Sequence, residues 1–239
     1  MYTKSEWRVM PIALLIILTI TFILWIWLKN KSQKIKDIPF FIVALLLLLG
    51  EVAKQCVGLL DKDGYDTWWI PLHFCSTYFV WFSFAEFSRG IRRRAMQSIA
   101  FTATTYVVVG MYAMPRSILA SACDHIFLDF LTCHSFFFHH LVVLYFFLTL
   151  AFKRFQPVKA DGLLWMVCMT VYFLTATAFA YLLDTNYYNI LYSNIPFIES
   201  LRATFGQFVY TLGLGTVTVL SGAVLLRVCV VVKEKIKKK

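Results

Sequence analysis

The sequence contains few charged residues and no long polar segment. Asp, Glu, Lys and Arg make up 15% of the 239 residues, whereas 60% are hydrophobic and the mean hydropathy is +0.70. A soluble domain of this length would expose too much apolar surface, so the composition favours a bilayer as the solvent. The polar connections are short, which excludes a separate soluble catalytic domain. Any function must therefore lie in the apolar segments or at their ends.

Cys-x-x-Cys pairs are also absent, so a zinc ribbon is not expected, and we predict no metal site and no cofactor. Cys168 and Cys229 lie within apolar runs, where a cysteine behaves as a small hydrophobic residue. Cys123 and Cys133 lie in and beside a predicted loop. They would form a disulfide only with suitable geometry and on an oxidising side of the membrane, so this bridge stays open.

Seven apolar runs are long enough to cross about 30 Å of hydrocarbon as helices. They occupy residues 10–28, 38–60, 68–88, 95–114, 126–152, 162–183 and 205–232. Helices are favoured over membrane strands because the runs are evenly apolar and because a helix satisfies its own backbone hydrogen bonds in lipid. The first run is too long for a secretory signal and lacks a small-residue cleavage site, so we expect a membrane helix.

Lysine and arginine are distributed unequally between the two sides of the predicted helices. Sixteen lie in the segments that follow the first, third, fifth and seventh runs, and five lie on the opposite side. Because basic loops remain in the cytoplasm, the N-terminus is predicted outside and the C-terminus in the cytoplasm, which agrees with an odd number of spans. The net charge of +10 follows from this asymmetry, so we expect no nucleic-acid partner.

The predicted fold is therefore all-α: a single domain over residues 1–239 that forms a polytopic membrane bundle of seven transmembrane helices. The sequence carries no sign of the oligomeric state. Its lysine-rich tail fits a retrieval signal of the endoplasmic reticulum of the Lys-x-Lys-x-x type, but any lysine-rich tail matches that pattern. We expect a bacterial plasma membrane rather than a eukaryotic endoplasmic reticulum.

Ionisable side chains inside the predicted helices are few, and such groups are costly in lipid unless they face a partner or a cavity. In the second helix, Glu51 shares a helical face with Lys54, so the two are predicted either to neutralise each other or to line a polar cavity. In the third helix, Glu86 is close to Arg89 in sequence and is expected to pair with it at the membrane interface.

The third and fifth predicted helices carry the other polar side chains. Pro71 is expected in the first turn of the third helix, with His73 and Cys75 about 200° apart around its axis. A base for Cys75 would then have to come from another helix. The fifth helix contributes four further candidates, and the connection before the last helix contributes one. They are His134, Ser135, His139, His140 and Asn186.

The predicted topology collects these side chains in the outer half of the bundle, because the third and fifth helices both begin on the outer side. Adjacent histidines at membrane depth each need a polar partner. We therefore expect a polar site near the outer mouth, with Glu51 and Lys54 near it. Asn186 lies in a polar, aromatic connection that is predicted to form either an interfacial belt or a lid over the site.

Five short motifs, taken in order, resemble those of a known family. They are GEVAKQ at 50–55, WWIPLHFCS at 68–76, GMYAMPRS at 110–117, HSFFFHHLVVLY at 134–145 and DTNYYNILYSNIP at 184–196. In this order and spacing, the chain resembles the bacterial YwaF-like integral membrane proteins from about residue 45 to 200. That family has seven predicted spans and in turn resembles a eukaryotic transmembrane acyltransferase family that acts on phospholipids.

The resemblance implies acyl chemistry by a membrane cysteine and a membrane histidine. The PLHFC match puts the cysteine at Cys75, and HHLVVL puts the histidine at His139, although His140 stands where the pattern often has glycine. Thr77 is a second candidate nucleophile, because a more distant group of lipid-ester hydrolases uses a threonine. The implied partners are membrane lipids, with a phospholipid or lysophospholipid as substrate.

In the implied reaction, the histidine takes the proton of Cys75, the thiolate attacks the lipid ester, and the acyl group passes to a lysolipid, an amine or water. Glu51 or Asn186 would orient the histidine. Free backbone N–H groups after Pro71 are a candidate oxyanion hole.

Two other classes of function remain open. A transporter or small-molecule binding protein would account for Glu51, Lys54 and the histidines without a nucleophile, although the odd number of spans and the lack of an internal repeat disfavour many transporter folds. A seven-helix receptor fits only the helix count and orientation. A retinal protein is disfavoured because the last predicted helix has no interior lysine for a Schiff base.

Overall fold

The computed structural model describes residues 3–62, 64–119, 122–124 and 126–237, and most of these are helical. Eight α-helices and three short 3-10 helices occur within these ranges, and no β-strand does. The chain divides into two compact units. Unit 1 is built from the ranges Met1–Cys56 and Tyr78–Gln156, and unit 2 from Val57–Thr77 and Pro157–Lys239.

Unit 1 contains six helices. They are α1 (Lys4–Leu28), α2 (Gln33–Leu59, of which the part up to Cys56 belongs to this unit), α3 (Tyr78–Phe87), α4 (Gly90–Ala113), α5 (Pro115–Leu119) and α6 (Phe130–Ala151). Helix α1 begins at a capping box, in which Thr3 and Glu6 each accept the other's backbone N–H. Asp129 caps α6 and accepts the backbone N–H of Thr132 at 2.8 Å.

Unit 2 contains α7 (Lys159–Leu183), α8 (Pro196–Lys237) and the 3-10 helices Thr67–Trp69, Cys75–Thr77 and Tyr187–Asn189. Glycines of α8 lie directly against large rings of α7. A Cβ on Gly222 would lie 2.2 Å from the Trp165 ring, and one on Gly215 would lie 2.6 Å from the Phe173 ring. Small residues therefore allow the two helices to approach closely, as is usual for helix pairs in membranes.

Among the residues that the structure describes, five helices are long and apolar enough to cross a membrane: α1, α2, α6, α7 and the Pro196–Ile236 part of α8. They correspond to the predicted runs 10–28, 38–60, 126–152, 162–183 and 205–232. Helix α4 covers the predicted run 95–114, but arginines at its start and polar residues along it make it less apolar than the other five. The all-α fold class and the membrane-spanning character are confirmed.

The predicted third run, 68–88, is not one continuous helix. Only Tyr78–Phe87 is α-helical, and the chain before it turns through two separate 3-10 helices. Asp66 caps the first by accepting the Trp68 N–H at 2.8 Å, and Pro71 lies in the turn that follows. The prediction that Pro71 opens a long helix was therefore wrong, and the helical angle expected between His73 and Cys75 does not apply.

Helix α8 is interrupted at Gly206, which has φ of 80° and ψ of 163°. A side chain is strained at such a φ, so glycine is the residue that suits this position. The interruption divides a short N-terminal segment from the long apolar part, close to the predicted start of the last run at residue 205.

A buried ionic cluster holds the helices of unit 1 together around Glu86. The Glu86 carboxylate accepts hydrogen bonds from Tyr145 at 2.6 Å, from Arg154 at 2.7 Å and from Arg93 at 3.2 Å. Arg93 also pairs with Asp37 at 2.7 Å. These contacts tie together α2, α3, α4 and the C-terminal end of α6.

The predicted pair between Glu86 and Arg89 was wrong. Arg89 is exposed, and its side chain makes no capping hydrogen bond at the start of α4. Because α3 ends at Phe87, Glu86 and Arg89 do not lie on the same helix. Their three-residue spacing therefore does not predict that their side chains are neighbours.

Candidate functional site

Two adjacent histidines of α6, His139 and His140, are buried within unit 1. Their Nδ1 atoms lie 2.6 Å and 2.7 Å from the backbone carbonyl oxygens of Ser135 and Phe136, respectively. A carbonyl only accepts, so each Nδ1 carries a hydrogen and each neutral ring has its lone pair on Nε2. Both Nε2 atoms are buried and have no hydrogen-bond partner among the described residues.

Ser135 therefore acts through its backbone. The sequence predicts that Ser135 and His139 share a helical face, and the structure shows that the Ser135 carbonyl is the group that binds the ring. Its position within α6, one turn before His139, allows this contact. His140 makes the same contact with the carbonyl of Phe136. The contact therefore does not depend on the serine side chain.

Glu51 of α2 is buried beside two partners on its own helix. Its Oε1 atom accepts from Lys54 at 2.8 Å and from Gln55 at 2.7 Å. The structure thus pairs Glu51 with Lys54, one of the two predicted arrangements. Glu51 Oε2 is buried and has no partner among the described residues.

His134 connects this pair with the other histidines of α6. The His134 ring lies over Gly50 of α2, where an added Cβ would be 3.6 Å from Nε2. Unit 1 therefore carries one carboxylate and one ammonium group on α2 and three imidazoles on α6, and among these imidazoles His134 is the one shown against α2.

Cys75 begins a single 3-10 turn in unit 2. The Thr77 hydroxyl closes this turn by donating to the Phe74 carbonyl at 2.7 Å. Tyr172 of α7 donates to the Leu72 carbonyl at 2.9 Å. The turn is therefore closed by a local hydrogen bond after the cysteine, and a hydrogen bond before the cysteine binds the segment to α7.

His73 packs between two aromatic rings of unit 2. Its ring centroid lies 3.8 Å from that of Trp68 and 5.2 Å from that of Tyr187. These ring contacts fix the orientation of His73 independently of Cys75.

The side chain of Asn186 organises the connection between α7 and α8. Its Oδ1 accepts the backbone N–H groups of Leu191 at 2.9 Å and Tyr192 at 3.4 Å, and its Nδ2 donates to the Tyr192 carbonyl at 3.0 Å. Tyr210 of α8 donates to the Asn189 carbonyl at 2.5 Å. The amide of Asn186 is thus occupied within its own loop, and the loop is bound to α8.

All six cysteines lie in the described residues and none is bridged, so Cys123 and Cys133 are both free. Cys123 is buried, with its Sγ 3.8 Å from Met10 Sδ. Burial raises the pKa of Cys123 to about 11, and the nearby charges of Glu6 and Asp124 act in the same direction. At neutral pH this thiol is protonated and is a poor nucleophile.

The predicted site residues therefore fall into two groups, one in each unit. Unit 1 holds Glu51, Lys54, His134, Ser135, His139 and His140, whereas unit 2 holds His73, Cys75 and Asn186. Within the described residues, no group of three or more His, Cys, Asp or Glu side chains is arranged to hold a metal ion. The first group offers neutral imidazoles as proton acceptors, and the second offers a thiol at a fixed turn.

Comparison with known proteins identifies the family. The model of the TMEM164 family matches residues 1–226. The chain belongs to the TMEM164 family. No curated protein and no solved structure matches it. TMEM164 is a membrane protein family, in agreement with the five apolar helices, and the match carries no reaction, so the likeness to YwaF-like proteins and acyltransferases stays a prediction.

In this TMEM164 family member, sequence reasoning missed the aromatic surroundings of Cys75. The ring of Phe74 lies 6.0 Å from Tyr172 and 5.4 Å from Tyr188. Tyr188 has a left-handed backbone with φ of 53° and binds Thr218 through its hydroxyl at 2.6 Å. The TNYYN stretch could have signalled such a turn, but its tyrosines also suit an ordinary interfacial belt.

Proposed function

We propose that this protein is a lipid acyltransferase or lipid-ester hydrolase in which Cys75 is the nucleophile and a histidine of α6 is its base. His139 is the assigned base because the HHLVVL motif favours it, and His140 is the alternative. The substrate is a phospholipid or a lysophospholipid of the surrounding membrane. No cofactor is required, because a thiol and an imidazole suffice for acyl transfer.

The observation that carries this proposal is the state of the α6 imidazoles. A hydrogen bond from Nδ1 to the Ser135 carbonyl holds the His139 ring, and its Nε2 is buried without a partner in the described part of the chain. An imidazole that donates from one nitrogen and presents the other is the arrangement of a general base. Leaving Nε2 unpaired in lipid costs free energy, so a role in binding a proton donor accounts for it.

Local geometry favours Cys75 over Thr77 as the nucleophile. The Thr77 hydroxyl already donates its proton to the Phe74 carbonyl at 2.7 Å and is buried. An attack by Thr77 would first have to break that bond. Cys75 lies at the start of the turn, where a thiol needs only a base to become reactive.

The proposed reaction has two steps. In the first, the thiol proton moves to Nε2 of the histidine, sulfur bonds to the ester carbonyl carbon, and the alcohol leaves with the proton from the imidazolium. In the second, a lysolipid, an amine or water attacks the thioester, loses its proton to the same Nε2, and restores the Cys75 thiol. Each step returns the histidine to its neutral form.

A binding or transport function is the second candidate. The specific feature in its favour is Glu51, whose Oε2 is buried and unpartnered among the described residues although Lys54 and Gln55 bind its other oxygen. A buried carboxylate oxygen of this kind suits a proton, a cation or a hydroxyl ligand. This function would require Glu51 and would not require Cys75.

The number of membrane crossings and the orientation of the termini are part of the same proposal. We propose seven crossings, with α4 and the segment 67–87, in which two 3-10 helices precede the short helix α3, added to the five long apolar helices. The N-terminus is outside and the C-terminus in the cytoplasm of a bacterial plasma membrane. The excess of basic residues on the predicted inner side supports this orientation. Protease or maleimide access to a tag on the C-terminus, from the inside only, is the expected result.

The test of the reaction is labelling by an ester-reactive lipid probe together with measurement of acyl transfer. The purified protein is compared with Cys75→Ser, His139→Ala and Glu51→Gln. We expect label and transfer to be lost in the first two variants and retained in the third, because the Ser135 carbonyl, and not Glu51, holds the His139 ring. Equal labelling in all four proteins would exclude the Cys75 mechanism, and ligand binding lost only in Glu51→Gln would favour the binding function.

A further inference from the structure

A partly enclosed groove lies between α7 and α8 in unit 2. Its volume is about 780 Å³, within the roughly 300–1,000 Å³ that is typical of small-molecule sites. It extends from Thr170 to Tyr181 on α7 and from Gln207 to Leu220 on α8. At 1.5 Å per residue, these stretches are about 15–20 Å long, which is close to the roughly 15 Å depth of hydrocarbon in one leaflet.

The lining of the groove changes in polarity along its length. Its largest polar side chains, Tyr181 and Gln207, lie at the end where α7 stops and α8 begins. The middle and far parts are lined mainly by apolar side chains, such as Leu174 and Leu220, and their polar residues are small threonines such as Thr170 and Thr216. A membrane lipid has the same order of polarity, with its ester groups near the interface and its acyl chain directed toward the bilayer centre.

One buried hydroxyl in the groove lacks the partner that a buried hydroxyl would normally have. A threonine in an apolar helix usually donates to a carbonyl of its own helix, as Thr175 does to Val171 at 2.9 Å. Thr177 lines the groove, and its Oγ1 is buried and has no hydrogen-bond partner among the described residues. It lies one helical turn from Tyr181, so an acceptor near the polar end of the groove would satisfy it.

We propose that the groove between α7 and α8 binds one acyl chain of a membrane phospholipid, with the ester carbonyl of that chain accepting the Thr177 hydroxyl. The length of the groove fits the chain, its polar end fits the interface, and Thr177 supplies the donor that fixes the register. This site goes beyond the proposed function, because binding a chain requires no reaction.

The groove also adjoins the surroundings of Cys75 through a series of rings. Phe173 lines the groove and lies 6.0 Å from Tyr188, which lies 5.4 Å from Phe74, the residue before Cys75. The bound lipid is therefore assigned as the acyl donor, and this extension rests on the proposed function. The chain-binding site itself does not depend on it.

The test uses a phosphatidylcholine with a photoreactive diazirine in one acyl chain, added to the full-length protein in phosphatidylcholine nanodiscs. Leu174→Trp fills the groove, and Val171→Trp is its matched control, since the two side chains are similarly exposed (63% and 61%) and only Leu174 lines the groove. Thr177→Val removes the free hydroxyl, and Thr175→Val removes one that is already satisfied.

We expect crosslinks on groove-lining peptides of α7 and α8. They should be lost in Leu174→Trp, reduced in Thr177→Val and retained in Val171→Trp and Thr175→Val, with all four variants monodisperse and similar in melting temperature. Crosslinks spread evenly over the exposed helix faces, or unchanged in a folded Leu174→Trp, would overturn the site. Leu212→Trp is a second change that fills the groove. If the crosslinks are also unchanged in a folded Leu212→Trp, the rejection of the site does not depend on Leu174→Trp alone.

The experiment distinguishes an error in the groove site from an error in the proposed Cys75 reaction. Cys75→Ser should retain the crosslink, because chain binding needs no thiol. A crosslink without any acyl transfer in the wild type would contradict the reaction and leave the groove site intact. Acyl transfer that persists in Leu174→Trp after the crosslink is lost would contradict the assignment of the groove lipid as the donor.

Discussion

The imidazole Nδ1 of His139 lies 2.6 Å from the carbonyl oxygen of Ser135, one turn earlier in α6. This contact fixes the ring as a donor at Nδ1 and directs a neutral, buried Nε2 away from its own backbone. His140 repeats the contact with Phe136 at 2.7 Å. Helix α6 thus presents two imidazoles in the proton-accepting form.

Replacing the base should lower acyl transfer without unfolding the protein. We expect His139→Gln to reduce kcat by roughly 10²–10⁴-fold, the usual contribution of a general base. His140→Gln should have a smaller effect, because only His139 is assigned as the base. The measurement is the initial rate of acyl transfer from a labelled phospholipid, with His134→Gln as a control on the same helix. A larger loss in His140→Gln than in His139→Gln would contradict the assignment.

Removing the charge of Glu86 should destabilise unit 1. Glu86→Gln removes the nearer carboxylate from the buried Arg154 guanidinium and leaves it only Asp37 at 3.5 Å. Breaking a buried ion pair typically costs about 3–5 kcal/mol. Thermal unfolding in detergent, followed by circular dichroism, measures the change in melting temperature.

Arg89→Gln is the matched control for the Glu86 change, because Arg89 is exposed and forms no capping bond at the start of α4. Its melting temperature should stay within error of the wild type. A destabilisation of Arg89→Gln as large as that of Glu86→Gln would mean that the cluster is not centred on Glu86.

The close approach of α7 and α8 can be tested at two glycines. Gly222→Ala would bring a methyl group within 2.2 Å of the Trp165 ring, which is fully buried, so overpacking of about 1–3 kcal/mol is expected. Gly213→Ala meets nothing within 4 Å, and higher helix propensity should stabilise it by up to about 1 kcal/mol. Opposite shifts in melting temperature are expected, and shifts of the same sign would contradict the packing.

The apolar runs could be predicted well, whereas the ion pairs could not. Long stretches such as Lys4–Leu28 can be recognised from the sequence, because the hydrocarbon core requires their length and apolar composition. The partner of Glu86 could not be found in this way, since Arg154 is 68 residues away and only the fold brings it close. The sequence predicts Arg89 instead, because helical spacing indicates only near neighbours.

The segment before α3 shows a second limit of the sequence. Its aromatic and apolar residues have the hydropathy of a membrane helix, yet residues 67–77 turn twice. Hydropathy measures the transfer of side chains into lipid. It does not report local hydrogen bonds, such as the one that Asp66 accepts from the Trp68 N–H. For the candidate site, the structure shows the pair of Glu51 and Lys54, one of the two arrangements that the sequence leaves open. The backbone carbonyl groups that bind His139 and His140 could not be predicted from the sequence.

The loop between α7 and α8 should depend on one amide. Asn186→Ala removes three hydrogen bonds to the backbone of Leu191 and Tyr192, each typically contributing about 0.5–1.5 kcal/mol. We expect faster proteolysis within residues 184–195 and little change in the helical signal. Asn194→Ala serves as a control in the same loop. Equal cleavage rates in the two variants would show that Asn186 does not organise the loop.

The most direct measurement of the central claim is the mass of the acyl-enzyme. The purified protein is incubated with a phospholipid in the absence of an acceptor, quenched in acid and analysed by intact and peptide mass spectrometry. The account predicts one acyl group in a hydroxylamine-sensitive thioester on the peptide that contains Cys75, and no adduct in Cys75→Ser. An adduct on another residue, or acyl transfer that persists in Cys75→Ser, would contradict it.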